Sequence, residues 1–558
     1  MKAKAFRVEV DGSQDETGRI LERRWEEHGP AIDWTAFPQG YGVLLSERLQ
    51  YPCDPAAWRM KIDATRQLFV DDYLIAHQQN LRRTLHDPKA HPANPIFDAD
   101  CDAAFVLPDE EHGYRMYYQT AGWYNHLAYS ADGVEWRRPA LDVYDITQDP
   151  DRFPGPPGSP ESPNNVVLPG EINALVIDAD ESDPSQRWKA LIRPWRGLKG
   201  PGTKVIHPYR TKEDGSHPPG VLHALYISPD GIRWQKKSDI SVLKGDVHFE
   251  APDQRFYGIG DLLKARWDPR LKTYIGAVKQ TIGPDYRFTP VFHHARVLCM
   301  IESDDMVHWS LPRVYAYPDG EDAKSPGMYG IYEDHAFNYE SMWLNLFSMT
   351  WYSPATREWM LEVNQPENRP YIKRNRLRLA ASRDGRHYCY LAERKRFNLP
   401  SPSDDWDIDV VRVANQGAPV VRGDELWFYY RGNTIDGPKK TWKMGNGIAT
   451  LRRDGFASLD AADEPGVVIT RPFVFAGDGR LCVNTDVGAS GSVRVAVLNE
   501  AGEPIDHFTI DDAVAVCEDS TQTPVYWKNR ESLAELKDRY IRLVFHLVDA
   551  ELYSFWIE

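Results

Sequence analysis

The sequence predicts an all-β protein, a five-bladed β-propeller followed by a C-terminal β-sandwich, and three observations predict it. One turn phrase recurs five times: "YSADGVEW" at residues 129–136, "YISPDGIRW" ending at Trp234, "IESDDMVHW" ending at Trp309, "AASRDGRHY" ending at Tyr388 and the looser "TLRRDGFAS" ending at Ser458. Each copy follows a short strand-like run, and a stronger aromatic and β-branched strand lies upstream: "YRMYYQT", "RWKALIR", "KTYIGAVK", "MWLNLFSMTWY" and "ELWFYYRG". A further strand candidate stands ahead of each of those. About four antiparallel strands, repeated at roughly 70 to 100 residues, form the unit of a radial propeller. A sandwich does not repeat one hairpin phrase in phase with a preceding aromatic strand.

Taken in order, residues 1–65 read as an N-terminal arm, with a short charged helix predicted over "GRILERRWEEHG". Residues 66–465 read as the propeller. Its opening run "RQLFVDDYLIA", residues 66–76, is placed to close the ring against the last blade, and its paired aspartates are expected to be structural. Residues 466–558 carry alternating strands with Gly-rich turns and no further copy of the phrase, which predicts the separate β-sandwich.

The bulk composition narrows the function. A formal net charge of -16 over 558 residues excludes a basic footprint for nucleic acid or anionic membranes and suits a small neutral or cationic partner. No stretch approaches the roughly 20 apolar residues of a membrane span, and the opening "MKAKAFRVEVDGSQDETGR" turns polar early, so a cytoplasmic location is expected. Homo-oligomerisation is left open. The six cysteines show no CxxC pair and read as free buried thiols. With 18 Trp and 28 Tyr, the chain has rings to spare for stacking on the apolar face of a sugar.

In a propeller the innermost strands line a central channel, and their first residues face one mouth. Those heads read Asp102, Glu171, Asp261, the trio Glu333, Asp334 and His335, and Asp407 or Asp409. The next strand runs back to the same mouth, where its end offers Thr120 with Trp123, Arg193 with Trp195, Lys279 with Gln280, Trp351 with Tyr352, and Arg431 with Asn433. A single acid ahead of a strand is more often a turn-former; recurrence in blade after blade argues for a shared pocket. Asp102, Asp261, Glu171, Glu333 and Asp334 are therefore the candidate catalytic carboxylates. Trp123, Arg193, Trp195, Lys279, His335, Trp351 and Arg431 are the candidate substrate contacts. Carboxylates beside rings and cations suit carbohydrate chemistry.

Other motifs are set aside. Asp268-Pro269 reads as a turn, and His293-His294 lacks a carboxylate or Cys at metal spacing. No transition metal or other cofactor is expected, a single structural Ca²⁺ among carboxylates being compatible with the sequence. Nothing resembles a nucleophile elbow, a P-loop or a dinucleotide fingerprint.

The blade phrases "YRMYYQT…HLAYSADGVEWRRP", "RWKALIR…ALYISPDGIRWQ" and "LKTYIGAVK…CMIESDDMVHWSLP" resemble those of the five-bladed propeller glycosidases, the invertases, levansucrases, arabinanases and related phosphorylases. The resemblance covers residues 66–463 and is one of architecture. It implies a hydrolase of small oligosaccharides or glycosides, with furanosides such as fructosides or arabinosides favoured; a glycoside phosphorylase and a non-catalytic carbohydrate-binding propeller are the alternatives. It also implies roles. Asp102 matches the first-blade nucleophile or base, Glu171 the second-blade stabiliser, and Asp261 falls where the third-blade acid is usually a Glu. The Trp-Met-Asn-Asp-Pro-Asn-Gly signature of invertases is absent, so the general acid stays open among Asp261, Glu250, Glu333 and Glu340.

Overall fold

The computed structural model describes residues 6–8, 25–27, 60–99, 101–120, 124–144, 165–193, 223–240, 262–282, 295–310, 313–316, 328–352, 373–391, 396–399, 406–407, 409–436, 441–461 and 464–558. Five antiparallel blades follow one another along the chain, the third and fourth linked by a single parallel bridge between Arg296 and Gly330. Blade 1 runs from its inner strand Asp102–Asp109 through Gly113–Gln119 and Tyr124–Ser130 to Val166–Pro169, and blade 2 from Glu171–Ile177 through Trp188–Arg193 and His223–Ser228 to Gln235–Ile240. Blade 3 has Leu263–Asp268, Thr273–Ile282, Ala295–Ser303 and Arg313–Ala316. In blade 4 the inner edge is shared by Met328–Glu333 and Ala336–Tyr339, followed by Met342–Tyr352 and Lys373–Ser382, with Cys389–Tyr390 and Arg396–Phe397 on the outer edge. Blade 5 has Asp409–Val413 and Val420–Arg422 inside, then Glu425–Asp436 and Thr441–Arg452. Among the described residues no helix is long and apolar enough to cross a membrane.

Each blade buries both faces, which is why its middle strands read as near-continuous apolar runs rather than alternating ones. Along Gly113–Gln119, Met116 and Tyr118 pack towards blade 5 with Trp427 and Ile448, while Tyr117 packs towards blade 2 with Ile172 and Leu175. Equivalent interblade cores join blades 2 and 3, 3 and 4, and 4 and 5. Each fully buried large side chain in them, such as Phe347 or Phe428, contributes roughly 2 to 3 kcal/mol.

The repeated phrase turns between the third and fourth strands in blades 1 to 4. At each copy a serine hydroxyl donates to the aspartate two residues on: Ser130 to Asp132 at 3.0 Å, Ser228 to Asp230 at 3.0 Å, Ser303 to Asp305 at 3.1 Å and Ser382 to Asp384 at 2.9 Å. The same carboxylate oxygen accepts the next two free N–H groups, for example from Val134 and Glu135. The glycine has a second task. Tyr429 of blade 5 donates to the Gly133 carbonyl at 2.9 Å and Tyr117 of blade 1 to that of Gly231 at 2.6 Å, so the turn stitches each of these blades to its predecessor. At both glycines φ is positive and a Cβ would meet the tyrosine oxygen at 2.5 Å.

The fifth copy departs from this pattern. Arg452 replaces the serine, Asp454 adopts φ 62°, and the chain leaves the propeller into Ala457–Ala461, which pairs with Arg82–Leu85 and with Ile541–Ile557. The fourth strand of blade 5 is supplied instead by Lys89–Ala90, bound to Thr441–Arg452. Ring closure therefore comes from the N-terminal side, as the sequence suggests, but from a different segment. The run at residues 66–76 joins the C-terminal sheet: Gln67–Leu68 pairs with Ile541–Ile557, and Ile75–Gln79 with Gly466–Thr470. Its aspartates are structural, Asp71 binding Arg383 at 2.7 Å and Asp72 binding Arg83 at 2.5 Å. The reason lies in amphipathicity: Phe69, Leu74 and Ile75 find partners in the core built on Phe545, Leu547 and Phe555.

The C-terminal sheet has ten strands, organised on the mutually paired Leu481–Asn499 and Ile541–Ile557. In the arm, Trp25–Glu27 is a strand paired with Phe6–Val8, not part of a helix; Trp25 favours an extended backbone as much as a helix. Of the described cysteines, Cys101, Cys299, Cys389 and Cys482 are buried thiols and Cys517 is exposed.

Candidate active site

The five inner strands bring one charged cluster to the ring centre. Asp102 and Glu171 are the first residues of the inner strands of blades 1 and 2, Lys264 is the second of blade 3, Glu333 ends Met328–Glu333 of blade 4, and Arg412 lies in Asp409–Val413 of blade 5. Arg412 is the hub. Its Nη1 stands 3.0 Å from Asp102 Oδ2 and its Nη2 2.6 Å from Glu171 Oε1, so one planar fork holds both carboxylates. Arg431 Nη1 lies 3.4 Å from the same Asp102 oxygen, and Arg193 Nη2 2.6 Å from Glu171 Oε2. Burial opposes the charge on Arg412, yet Asp102, Glu171 and Glu333 outweigh it and push its pKa up.

Neighbouring blades fix the strand heads. Asn446 of blade 5 donates to the Cys101 carbonyl at 2.9 Å and accepts from Ala103 N–H at 3.1 Å, bracketing Asp102 on both sides. Gln119 and Asn125 of blade 1 donate to the Gly170 carbonyl at 3.1 and 2.7 Å, which sets the backbone entering Glu171. Asp102 thereby has one oxygen committed and one spare: Oδ1 is buried with no hydrogen-bond partner among the described residues. An orphaned buried acceptor on a carboxylate is costly unless something docks on it.

Glu333 and His335 form the second half of the cluster. Glu333 lies 2.7 Å from Lys264 Nζ and 3.6 Å from His335 Nε2. Burial pushes the Glu333 carboxyl up, but Lys264, His335 and Arg412 together bring it down to about 2. Burial likewise pushes His335 down to about 4, against the attraction of Glu333, so the imidazole is neutral at pH 7.

The turn Ala414–Gly417 lies across the ring behind these groups. Asn415 and Gln416 both stand in the left-handed region, at φ 56° and 55°. Asn415 accepts from Val106 N–H at 2.6 Å and donates to the Val106 carbonyl at 2.7 Å, while Gln416 accepts from Ala265 N–H at 3.1 Å. A side chain at Gly417 would collide with His335 at 2.7 Å. One turn after the blade 5 inner strand thus holds the inner strands of blades 1 and 3 and packs closely on His335 of blade 4, and it begins two residues beyond Arg412.

The sequence-predicted residues divide accordingly. Asp102, Glu171, Glu333, His335, Arg193 and Arg431 meet in the cluster. Asp334 turns away, into a buried network between blades 3 and 4 with Arg266 at 3.1 Å, Tyr315 and Asn345. Lys279 lies 4.2 Å over the ring of Tyr332. Glu340 pairs with Arg453 at 3.6 Å, beside the C-terminal sheet, and Asp407 accepts from Tyr430 at 2.9 Å. Asp261, Trp123, Trp195, Glu250 and His293-His294 lie outside the described residues, as do the side chains of Trp351 and Asp409. Sequence reasoning missed Lys264 and Arg412. The available signal was a cation inside an otherwise apolar inner strand, "LLKARW" and "DVVRV", where a buried charge needs a partner.

No family model matches the chain, and no curated protein matches it. Solved structures similar to it include a Bombyx mori GH32 β-fructofuranosidase in complex with sucrose, at 9% identity and TM-score 0.36, covering 84% of this chain and 94% of that one. A structure from the GH130 family of mannoside phosphorylases, which contains glycoside hydrolases that target β-1,2 mannosidic linkages in Candida mannan, gives 12% identity and TM-score 0.35, covering 66% and 94%. An N-acetylgalactosamine deacetylase from F. plautii gives 15% identity and TM-score 0.35, covering 68% and 97%. Function resides in a site rather than in a fold, and the activity is argued from the cluster itself.

Proposed function

We propose that the chain is a glycoside hydrolase acting on small oligosaccharides or glycosides at the ring centre. The observation that carries this reading is the meeting of three carboxylates from three blades, with Asp102 presenting a buried, unengaged Oδ1 while Arg412 holds its Oδ2. In this reading Asp102 Oδ1 attacks the anomeric carbon or takes the proton of an attacking water. Glu171 is held beside it by the same guanidinium and faces the positive charge that develops in an oxocarbenium-like transition state. Glu333 remains an anion, since Lys264 and Arg412 hold its proton off, so the donor to the leaving oxygen is another group. Asp261, two residues ahead of the inner strand of blade 3, takes that role. Fructosides and arabinosides are the first substrates to try.

A second reading is phosphorolysis, and one observation favours it: Arg193, Arg412, Arg431 and Lys264 place four cations among the three carboxylates, a setting in which inorganic phosphate could replace water as the nucleophile. Initial rates of sugar release with and without phosphate separate the two. Replacing Asp102 by Asn keeps the shape and removes the charge and the attacking lone pair. Asp102→Asn should lower turnover by at least about a hundredfold while leaving Tm within a few degrees. Wild-type turnover in that variant would remove Asp102 from the mechanism.

A further inference from the structure

We propose that the junction between the propeller and the C-terminal sheet binds a divalent cation of the mixed nitrogen- and oxygen-preferring class that Zn²⁺ represents, held by His86, Asp460 and Glu551. This site is separate from the central cluster and does not rest on the glycosidase reading. One ligand atom from each of the three residues lies within 4.8 Å of the others, with His86 Nε2 at 3.9 Å from Glu551 Oε2. An ion with nitrogen and oxygen ligands at about 2.0 to 2.2 Å spans such a gap with small side-chain adjustments.

The sheet register forces the carboxylates together. Ala457–Ala461 lies between Arg82–Leu85 and Ile541–Ile557, so Asp460 stands directly opposite Glu551, and Glu551 stands opposite Asp486 on its other side. Three carboxylates therefore sit side by side on one sheet face, an arrangement that destabilises adjacent strands unless a cation offsets it. The protein's own cations do not. Arg82, opposite Asp460, is exposed and makes no ion pair with a described residue, while Arg452, which reaches over the Tyr553 ring, is paired with Asp519. Ser458 Oγ, 2.7 Å from His86 Nε2 and donating to Asp460, adds a neutral oxygen to the same shell. Tyr553 braces two ligands at once, its hydroxyl donating to Glu551 and its ring lying 5.3 Å from the imidazole.

The imidazole nitrogen beside hard carboxylates distinguishes this shell from an all-oxygen Ca²⁺ cage. In the ion-free arrangement His86 Nε2–H donates to Ser458 Oγ, whose own proton goes to Asp460, so the ion takes the place of that Nε2 proton and the imidazole keeps its proton on Nδ1. Because His86 stands three residues ahead of Lys89–Ala90, the strand that completes blade 5, the cation ties ring closure to the C-terminal sheet.

The test is calorimetric titration of the chelator-dialysed full chain with Zn²⁺, with Ca²⁺ as a second arm. One saturable equivalent of Zn²⁺ is expected, with a rise in Tm of a few degrees. In His86→Ala the affinity should fall at least about a hundredfold, since losing even an outer partner of a metal ligand costs 10- to 100-fold, and the Tm response should vanish. His86→Gln, which can still hydrogen-bond to Ser458, is the second variant should the alanine form fold poorly, and it should lose Zn²⁺ equally. His308→Ala, remote on the blade 3 turn, should change neither readout. Absence of saturable Zn²⁺ binding, binding unchanged in both His86 variants, or a preference for Ca²⁺ that ignores His86 would each overturn the proposal.

Discussion

At the scale of single residues, the centre of the ring is a balance of buried charges in which each group's state depends on a partner from another blade. Lys264 and Glu333 illustrate it: both are almost fully buried, and neither has solvent to fall back on. Replacing Lys264 by Met keeps the stem and removes the charge, leaving Glu333 with His335 and the more distant Arg412. Breaking a buried pair from one side typically costs about 3 to 5 kcal/mol. Lys264→Met should therefore lower stability by about 3 kcal/mol or more in urea unfolding, whereas the double variant Lys264→Met/Glu333→Leu should recover most of the loss. A single variant as stable as the wild type would show that Glu333 draws its stabilisation elsewhere.

At the scale of elements, short turns do the joining that longer elements do in other folds. The four Ser-x-Asp turns satisfy their own backbone and two of them receive a tyrosine from the preceding blade. The turn Ala414–Gly417 binds blades 1 and 3 to blade 5 through two side chains that sit on left-handed backbone. Its cost and its return can be separated at Asn415. Alanine loses both bonds to Val106 and keeps the conformational penalty of roughly 1 to 2 kcal/mol, while glycine loses the bonds and is free of the penalty. Asn415→Ala should thus be less stable than Asn415→Gly by about 1 kcal/mol, with both below wild type. The reverse order in a denaturant series would mean that the positive φ is not what the asparagine is there to tolerate.

At the scale of the whole molecule, the propeller and the C-terminal sheet share one chain end and one joint. Asp454, the aspartate of the fifth turn, is fully buried and accepts from Arg66 at 2.7 Å, Tyr339 at 2.7 Å, Asn484 at 3.0 Å and Ser554 at 2.6 Å. Asp454→Ala strands Arg66 in the interior and should destabilise by about 3 to 5 kcal/mol, well beyond the same change at the half-exposed Asp132. Acid should act on the whole molecule through the ring centre. Between about pH 6.5 and 4 the unfolded chain takes up the His335 proton that the folded chain refuses, and between 4.5 and about 2 it does the same for Glu333. In both windows the unfolded state binds more protons, so stability falls as pH falls. Tm should decline steadily from pH 6.5 to 3, and His335→Asn should flatten the upper part of that decline and, by removing one of the charges that lower Glu333, make the lower part shallower as well.

The sequence by itself determined the number of blades and the place of the repeated turn, because those depend on local patterns: aromatic runs, Asp-Gly bends and their spacing. It also placed Asp102 and Glu171, since the head of an inner strand is a position in the chain before it is a position in space. It could not assign Lys89–Ala90 to blade 5, because a two-residue strand carries no periodicity and its pairing spans more than 350 residues. Residues 66–76 looked equally suited to closing the ring, and only the competing core around Phe545 and Phe555 took them away. Arg412 and Lys264 became central for the same reason, as did the meeting of His86 with Asp460 and Glu551. Charge partners and metal ligands drawn from distant strands leave no spacing to read, and the closure of the ring and the register of the C-terminal sheet are what bring them within reach.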